Sequence, residues 1–159
     1  MKNMIMSAAR ISLGWIFLWA FVDKLFGFGF ATEAGNAWMN GVSPTAGFLK
    51  FGTKGAFAEI FQGLAGVAII DWLFMAGLLL IGLALMLGVG LRIAAYSGTA
   101  LMLLLWLAVF PLANNPIIDE HVIYAFLLWL LTLNNAGDYF GLGKLWSKTK
   151  LVKTYPILK

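Results

Sequence analysis

The sequence predicts an all-α fold: an integral membrane four-helix bundle with a structured extracytoplasmic loop between helices 1 and 2. Three observations carry this expectation. The chain of 159 residues is 62% hydrophobic and only 11% charged. A soluble domain averages about 45–50% apolar and about 25% charged, so lipid must cover much of this surface. The apolar residues fall in runs near the roughly 20 residues that a spanning helix needs. Lys and Arg then segregate to one side of the topology those runs define.

One membrane domain is expected over residues 1–159, with helices at about 4–26, 60–91, 93–113 and 116–136 and a basic cytoplasmic tail over 137–159. The first helix is the least regular. Its charge-free core covers only 11–22, between Arg10 and the pair Asp23-Lys24. It spans if Arg10 and Lys24 snorkel to opposite interfaces. A positive start and a short apolar core also describe a cleaved signal peptide; the segment is expected to be retained. The second helix centres on the run 72–91, which has no charge before Arg92, and the uncharged run 93–113 follows as the other arm of a tight hairpin. The fourth starts at Asn115 as N-cap with Pro116 in the first helical position. Asp119 and Glu120 then stand in the first turn, where the helix dipole favours negative charge. Asn134, Asn135 and Gly137 supply the stop. Ala84/Gly88 and Ala94/Gly98 have the small-xxx-small spacing of close helix packing.

The connection over 27–66 holds Trp38, Phe48, Phe51, Phe57 and Phe61. A flexible linker does not carry so many aromatics, so it is expected to be an ordered cap at the membrane surface. With seven Trp and four Tyr, the chain is also well supplied with interfacial anchors. Orientation follows from charge. With the N-terminus inside, the cytoplasmic side holds Lys2, Arg10, Arg92, Lys144, Lys148, Lys150, Lys153 and Lys159, against Lys24, Lys50 and Lys54 outside. Both termini are therefore expected in the cytoplasm, in a multi-pass protein of the cell membrane. The net charge of +4 points to an anionic membrane surface rather than to nucleic acid, because the tail lysines supply it.

The chain has no cysteine and one histidine, His121. That excludes disulfides, iron–sulfur clusters, thiolate metal sites and a bis-histidine haem within it. Redox work then requires a non-covalent cofactor such as a quinone, or a partner subunit. The topology places Asp23, Lys24, Glu33, Glu59, Asp71, Asp119, Glu120 and His121 at the outer ends of the helices, and ionisable groups at membrane depth are default functional candidates. His121, Asp119, Glu120 and Tyr124 are the catalytic candidates, since helical spacing brings Tyr124 within reach of Glu120 and His121. Asp23, Lys24 and Trp19 on the first helix are the cofactor-binding candidates, expected on the opposite wall of one cavity. The bland alternatives are an ion-paired, snorkelling Asp23-Lys24, a merely dipole-capping Asp119 and Glu120, and a His121 bonded to backbone. Arg10 and Arg92 read most simply as cytoplasmic anchors.

The stretch 71–85 running on to Gly90-Leu91-Arg92-Ile93-Ala94-Ala95 resembles the DoxD/DoxX family of small membrane proteins. So does Asn115-Pro116-Ile117-Ile118-Asp119-Glu120-His121-Val122-Ile123-Tyr124, the most specific element. Arg10-Ile11-Ser12-Leu13-Gly14, Asp23-Lys24-Leu25-Phe26-Gly27 and Ala136-Gly137-Asp138-Tyr139-Phe140-Gly141-Leu142-Gly143 also fit. The likeness covers about 10–146, with little of it in 32–57. It implies a four-helix membrane subunit. In the DoxD branch this is the smaller subunit of a thiosulfate:quinone oxidoreductase, which works with a second subunit and feeds a terminal oxidase; in the wider DoxX branch it is an accessory to a redox complex. The resemblance supplies no agreed catalytic set. Six outer carboxylates against Lys24, Lys50 and Lys54 repel a thiosulfate dianion, which assigns quinone contact to this chain and anion binding to the partner. The rival is a non-catalytic accessory subunit; a transporter is disfavoured by the absence of repeats and of helices broken at mid-membrane.

Overall fold

The computed structural model describes all 159 residues and is 72% helix with no strand. Its principal elements are α1 (Lys2–Phe26), α2 (Ala58–Gly63), α3 (Ala68–Leu87), α4 (Leu91–Val109), α5 (Glu120–Leu133), α6 (Gly143–Trp146) and α7 (Lys150–Thr154). Of these, α1, α3 and α4 are long and apolar enough to cross a membrane, while α5 has only 14 residues. At 1.5 Å per residue α5 covers about 21 Å, short of the roughly 30 Å hydrocarbon core.

The boundaries differ from the sequence reading for local reasons. The second expected helix, 60–91, divides into α2 and α3 around Gly66, whose φ of +82° is left-handed. The hairpin turn lies at Gly88 and Gly90, both at positive φ, and Arg92 is the second residue of α4 rather than the punctuation between helices. The third helix stops at Val109 instead of 113. Pro111 cannot donate an N–H, and Phe110 before it is extended. The fourth begins at Glu120 rather than Pro116, with Asp119 as its N-cap. Asn115 spends its Oδ1 on the N–H groups of Ile117 and Ile118, at 2.9 and 3.0 Å, closing a separate turn.

In sequence order the long helices pack α1 on α3, α3 on α4 and α4 on α5. The buried stripe of α1 is Ser7, Arg10, Leu13, Gly14 and Phe17; that of α3 is Asp71, Met75, Leu78, Ile81, Gly82 and Leu85. Steps of three and four put each set on one helical face. Gly14 and Gly82 bring α1 and α3 to backbone contact: a Cβ on Gly82 would stand 2.8 Å from the Leu18 nitrogen, and one on Gly14 2.9 Å from the Met86 nitrogen. The small-residue contact expected of Gly98 is made against Leu128 of α5, and Gly88 lies against Gly137. The outward faces are also apolar, with Leu133 73% and Phe126 67% exposed, as lipid-facing surfaces are.

Arg10 is not a snorkelling anchor. It is 0% exposed, and its guanidinium donates to five carbonyls: Leu85, Met86 at 2.9 Å, Ala136 at 3.2 Å, Tyr139 at 3.4 Å and Phe140 at 2.7 Å. Ser7 adds a bond to the Tyr139 carbonyl at 2.9 Å. The physical reason is the shortness of α5. The chain after it turns irregularly through Ala136–Asp138 beside the last turn of α3, whose final carbonyls have no intrahelical partner. Buried backbone carbonyls without an intrahelical partner need other donors, and all five donors of Arg10 serve them.

Candidate functional site

The site grows from the cap of α5. Asp119 Oδ1 accepts the backbone N–H groups of His121 at 3.0 Å and Val122 at 3.4 Å, and Oδ2 lies 2.8 Å from His121 Nδ1. A carboxylate of this kind only accepts, so Nδ1 carries the proton and donates, leaving the Nε2 of neutral His121 as an acceptor. The His121 side chain is 19% exposed.

An open cleft of about 430 Å³ lies beside this pair, lined by His121, Asp119 and Glu120, by the aliphatic Val109, Leu112 and Ile118, and by Lys54. Two hydrogen bonds hold the rim. The Trp106 indole donates to the Ile117 carbonyl at 2.9 Å, tying the approach to α5 onto α4. The Lys54 N–H donates to the Ala108 carbonyl at 2.9 Å, and Gly55, at φ +68°, rests on the Phe110 carbonyl and Pro111.

The cleft therefore brings together three of the expected residues and not the other four. Its opposite wall is Lys54 and the end of α4, not the first helix. Asp23, 1% exposed, is consumed by structure: its carboxylate accepts the N–H groups of Phe30 at 3.3 Å and Ala31 at 2.9 Å, turning the chain back after α1. Lys24 is half-buried and makes no ion pair with Asp23. Trp19 belongs to an aromatic cluster with Trp15, Phe28 and Phe30, at centroid distances of 5.7, 6.0 and 5.1 Å. Tyr124 packs against the hydrophobic core, away from the cleft lining. Asp71 fastens the segment after α1, accepting the hydroxyls of Ser43 at 2.8 Å and Thr45 at 2.6 Å, while Trp38 packs edge-on against Trp72 at 4.7 Å. Lys54 was missed at the sequence level because only the strap onto α4 brings it to His121. The left-handed glycine that follows it is the one local signal.

No three His, Asp or Glu residues converge as a metal-holding group. What the arrangement offers is a histidine oriented by a carboxylate, in an open cleft whose other lining mixes aliphatic side chains with Lys54, Glu120, Asn114 and Asn115. Fold and site thus define a small all-helical protein with three membrane-length apolar helices and a His–Asp cleft at one end. No family model, curated protein or solved structure matches the chain.

Proposed function

We propose that this chain is a multi-pass membrane subunit of the DoxD/DoxX type, a four-helix bundle in which α1, α3 and α4 span and the shorter α5 packs on α4, and whose outer cleft takes the head of a quinone in a thiosulfate:quinone oxidoreductase-like system. The observation that carries the reading is the 2.8 Å contact from His121 Nδ1 to Asp119 at the edge of an open cleft with mixed aliphatic and polar lining. The residues fit the group: Val109, Leu112 and Ile118 suit an apolar ring, and His121 and Lys54 suit its oxygens. When bound, a quinone supplies a two-electron, two-proton redox couple. Asp119 orients His121, and Nε2 exchanges protons as a general acid–base. A second oxidoreductase subunit supplies the electrons, which pass on to a terminal oxidase.

His121→Ala is expected to lower quinone-linked electron transfer about 10²-fold, the usual loss when a general acid–base is removed, while the variant still assembles. Steady-state turnover of size-exclusion-purified complex checks this. Normal turnover in assembled variant sinks the catalytic reading.

A second reading, a non-catalytic accessory subunit docked on a terminal oxidase complex, draws on the structural use of Arg10, Asp23 and Asp71; the same variant separates the two. Orientation has its own check. The chain has no cysteine, and Gly47 and Lys150 are both exposed. A membrane-impermeant thiol reagent should label Gly47→Cys from outside and Lys150→Cys only after the membrane is opened. Labelling of Lys150→Cys in intact cells would reverse the topology.

A further inference from the structure

We infer that the C-terminal segment is a folded docking platform for an anionic lipid surface. The inference rests on the membrane reading above and is independent of the cleft. The residues after Leu142 do not trail away from the helices. Val152 of α7 is buried, and the Trp146 indole donates to the Leu158 carbonyl at 2.5 Å. The Arg92 N–H donates to the Lys159 carbonyl at 2.9 Å, and its guanidinium to the Pro156 carbonyl at 3.0 Å. The segment is thereby fixed against the start of α4.

This fixed segment presents a particular surface. Lys144, Lys148, Lys150 and Lys153 are exposed, and none pairs with a carboxylate. Leu145, Leu151 and Ile157 stand exposed among them. Ammonium groups interleaved with aliphatic side chains are the chemistry of a segment lying in a headgroup layer. No acidic residue follows Asp138. The same end of the molecule carries Lys2, Arg92 and the five tail lysines against Asp138 alone, with Arg10 buried; the other carries Lys24, Lys50 and Lys54 against Asp23, Glu33, Glu59, Asp71, Asp119 and Glu120. The platform thus faces an anionic leaflet with little opposing charge of its own. Each lysine near such a surface is worth about fivefold in affinity.

The test uses the full chain in a neutral detergent with equal amounts of phosphatidylglycerol and phosphatidylcholine, and lipid extracted from the protein peak after size exclusion. The expected result is at least about tenfold enrichment of phosphatidylglycerol. Salt near 1 M, where the screening length is about 3 Å, should remove most of that enrichment. The variant K144Q/K148Q/K150Q/K153Q should lose it at low salt while keeping the wild-type helical circular dichroism. Equal retention of the two lipids, a salt-insensitive preference, or wild-type enrichment in the folded variant would each overturn the platform. So would an RNA oligonucleotide that displaces phosphatidylglycerol and binds in its place. If the quadruple variant fails to fold, the wild-type salt response decides. A wild-type chain that retains neither lipid and stays folded without detergent would instead sink the membrane reading.

Discussion

Arg10→Leu is expected to leave little or no folded protein in the membrane. The substitution keeps the apolar volume of the stem but strands the carbonyls of Leu85, Met86, Ala136 and Phe140 and leaves that of Tyr139 to Ser7 alone. A buried acceptor left without a donor costs about 1–3 kcal/mol. Two stranded carbonyls alone therefore cost about 2–6 kcal/mol, a large part of the roughly 5–15 kcal/mol that holds an ordinary domain. Arg10→Lys should do only partly better, since a lysine has three donors and no planar fork. Arg92→Leu is the control. Arg92 is exposed and its side chain makes one bond, to the Pro156 carbonyl, so the effect should be small. Thermal unfolding by circular dichroism in one detergent compares them. An Arg10→Leu protein that melts with the wild type would show that water, not Arg10, satisfies these carbonyls.

Arg10 also marks where sequence reasoning stopped. The apolar runs made the long helices legible, because period and length are local. The role of Arg10 is not local: its acceptors lie 75 to 130 residues away, and a cation two turns into an apolar helix looks the same whether it snorkels or is buried. The start of α5 failed for a different reason. Asn115 and Asp119 are both good cap residues, and Asn115-Pro116 imitates a helix start; only the use of Asn115 in its own turn leaves the cap to Asp119. The His121–Asp119 pair was legible as a short-range pattern, since both sit at one helix end. The far wall was not, because Lys54 reaches the cleft through a backbone bond to Ala108, and Trp19, Asp23 and Lys24 share only membrane depth with His121. Depth places residues in a layer; it does not place them against one another.

The same distinction governs the glycines of α3, where one substitution should have opposite signs five residues apart. Helix propensity alone favours alanine over glycine by about 1 kcal/mol at an interior position. At Gly77 the nearest atom to an added Cβ is the Leu101 Cδ2 at 3.9 Å, an ordinary contact, so Gly77→Ala should stabilise by about 0.5–1 kcal/mol. At Gly82 the added Cβ meets the backbone nitrogen of Leu18 at 2.8 Å and its Cα at 3.1 Å. Backbone cannot step aside as a side-chain tip can, so α1 and α3 must separate. Gly82→Ala should destabilise by about 1–3 kcal/mol, and Gly82→Leu should prevent assembly. The separation carries a second cost. Leu85 lies on the Gly82 face and Gly14 on the Arg10 face, so moving the helices apart also draws the Leu85 and Met86 carbonyls away from the guanidinium. Gly82→Ala and Arg10→Leu should therefore fall short of additivity, because each removes part of what the other removes. Unfolding of the two single alanine variants in the same detergent gives the sign directly. If Gly82→Ala is as stable as Gly77→Ala, the two helices do not meet backbone to backbone at this crossing.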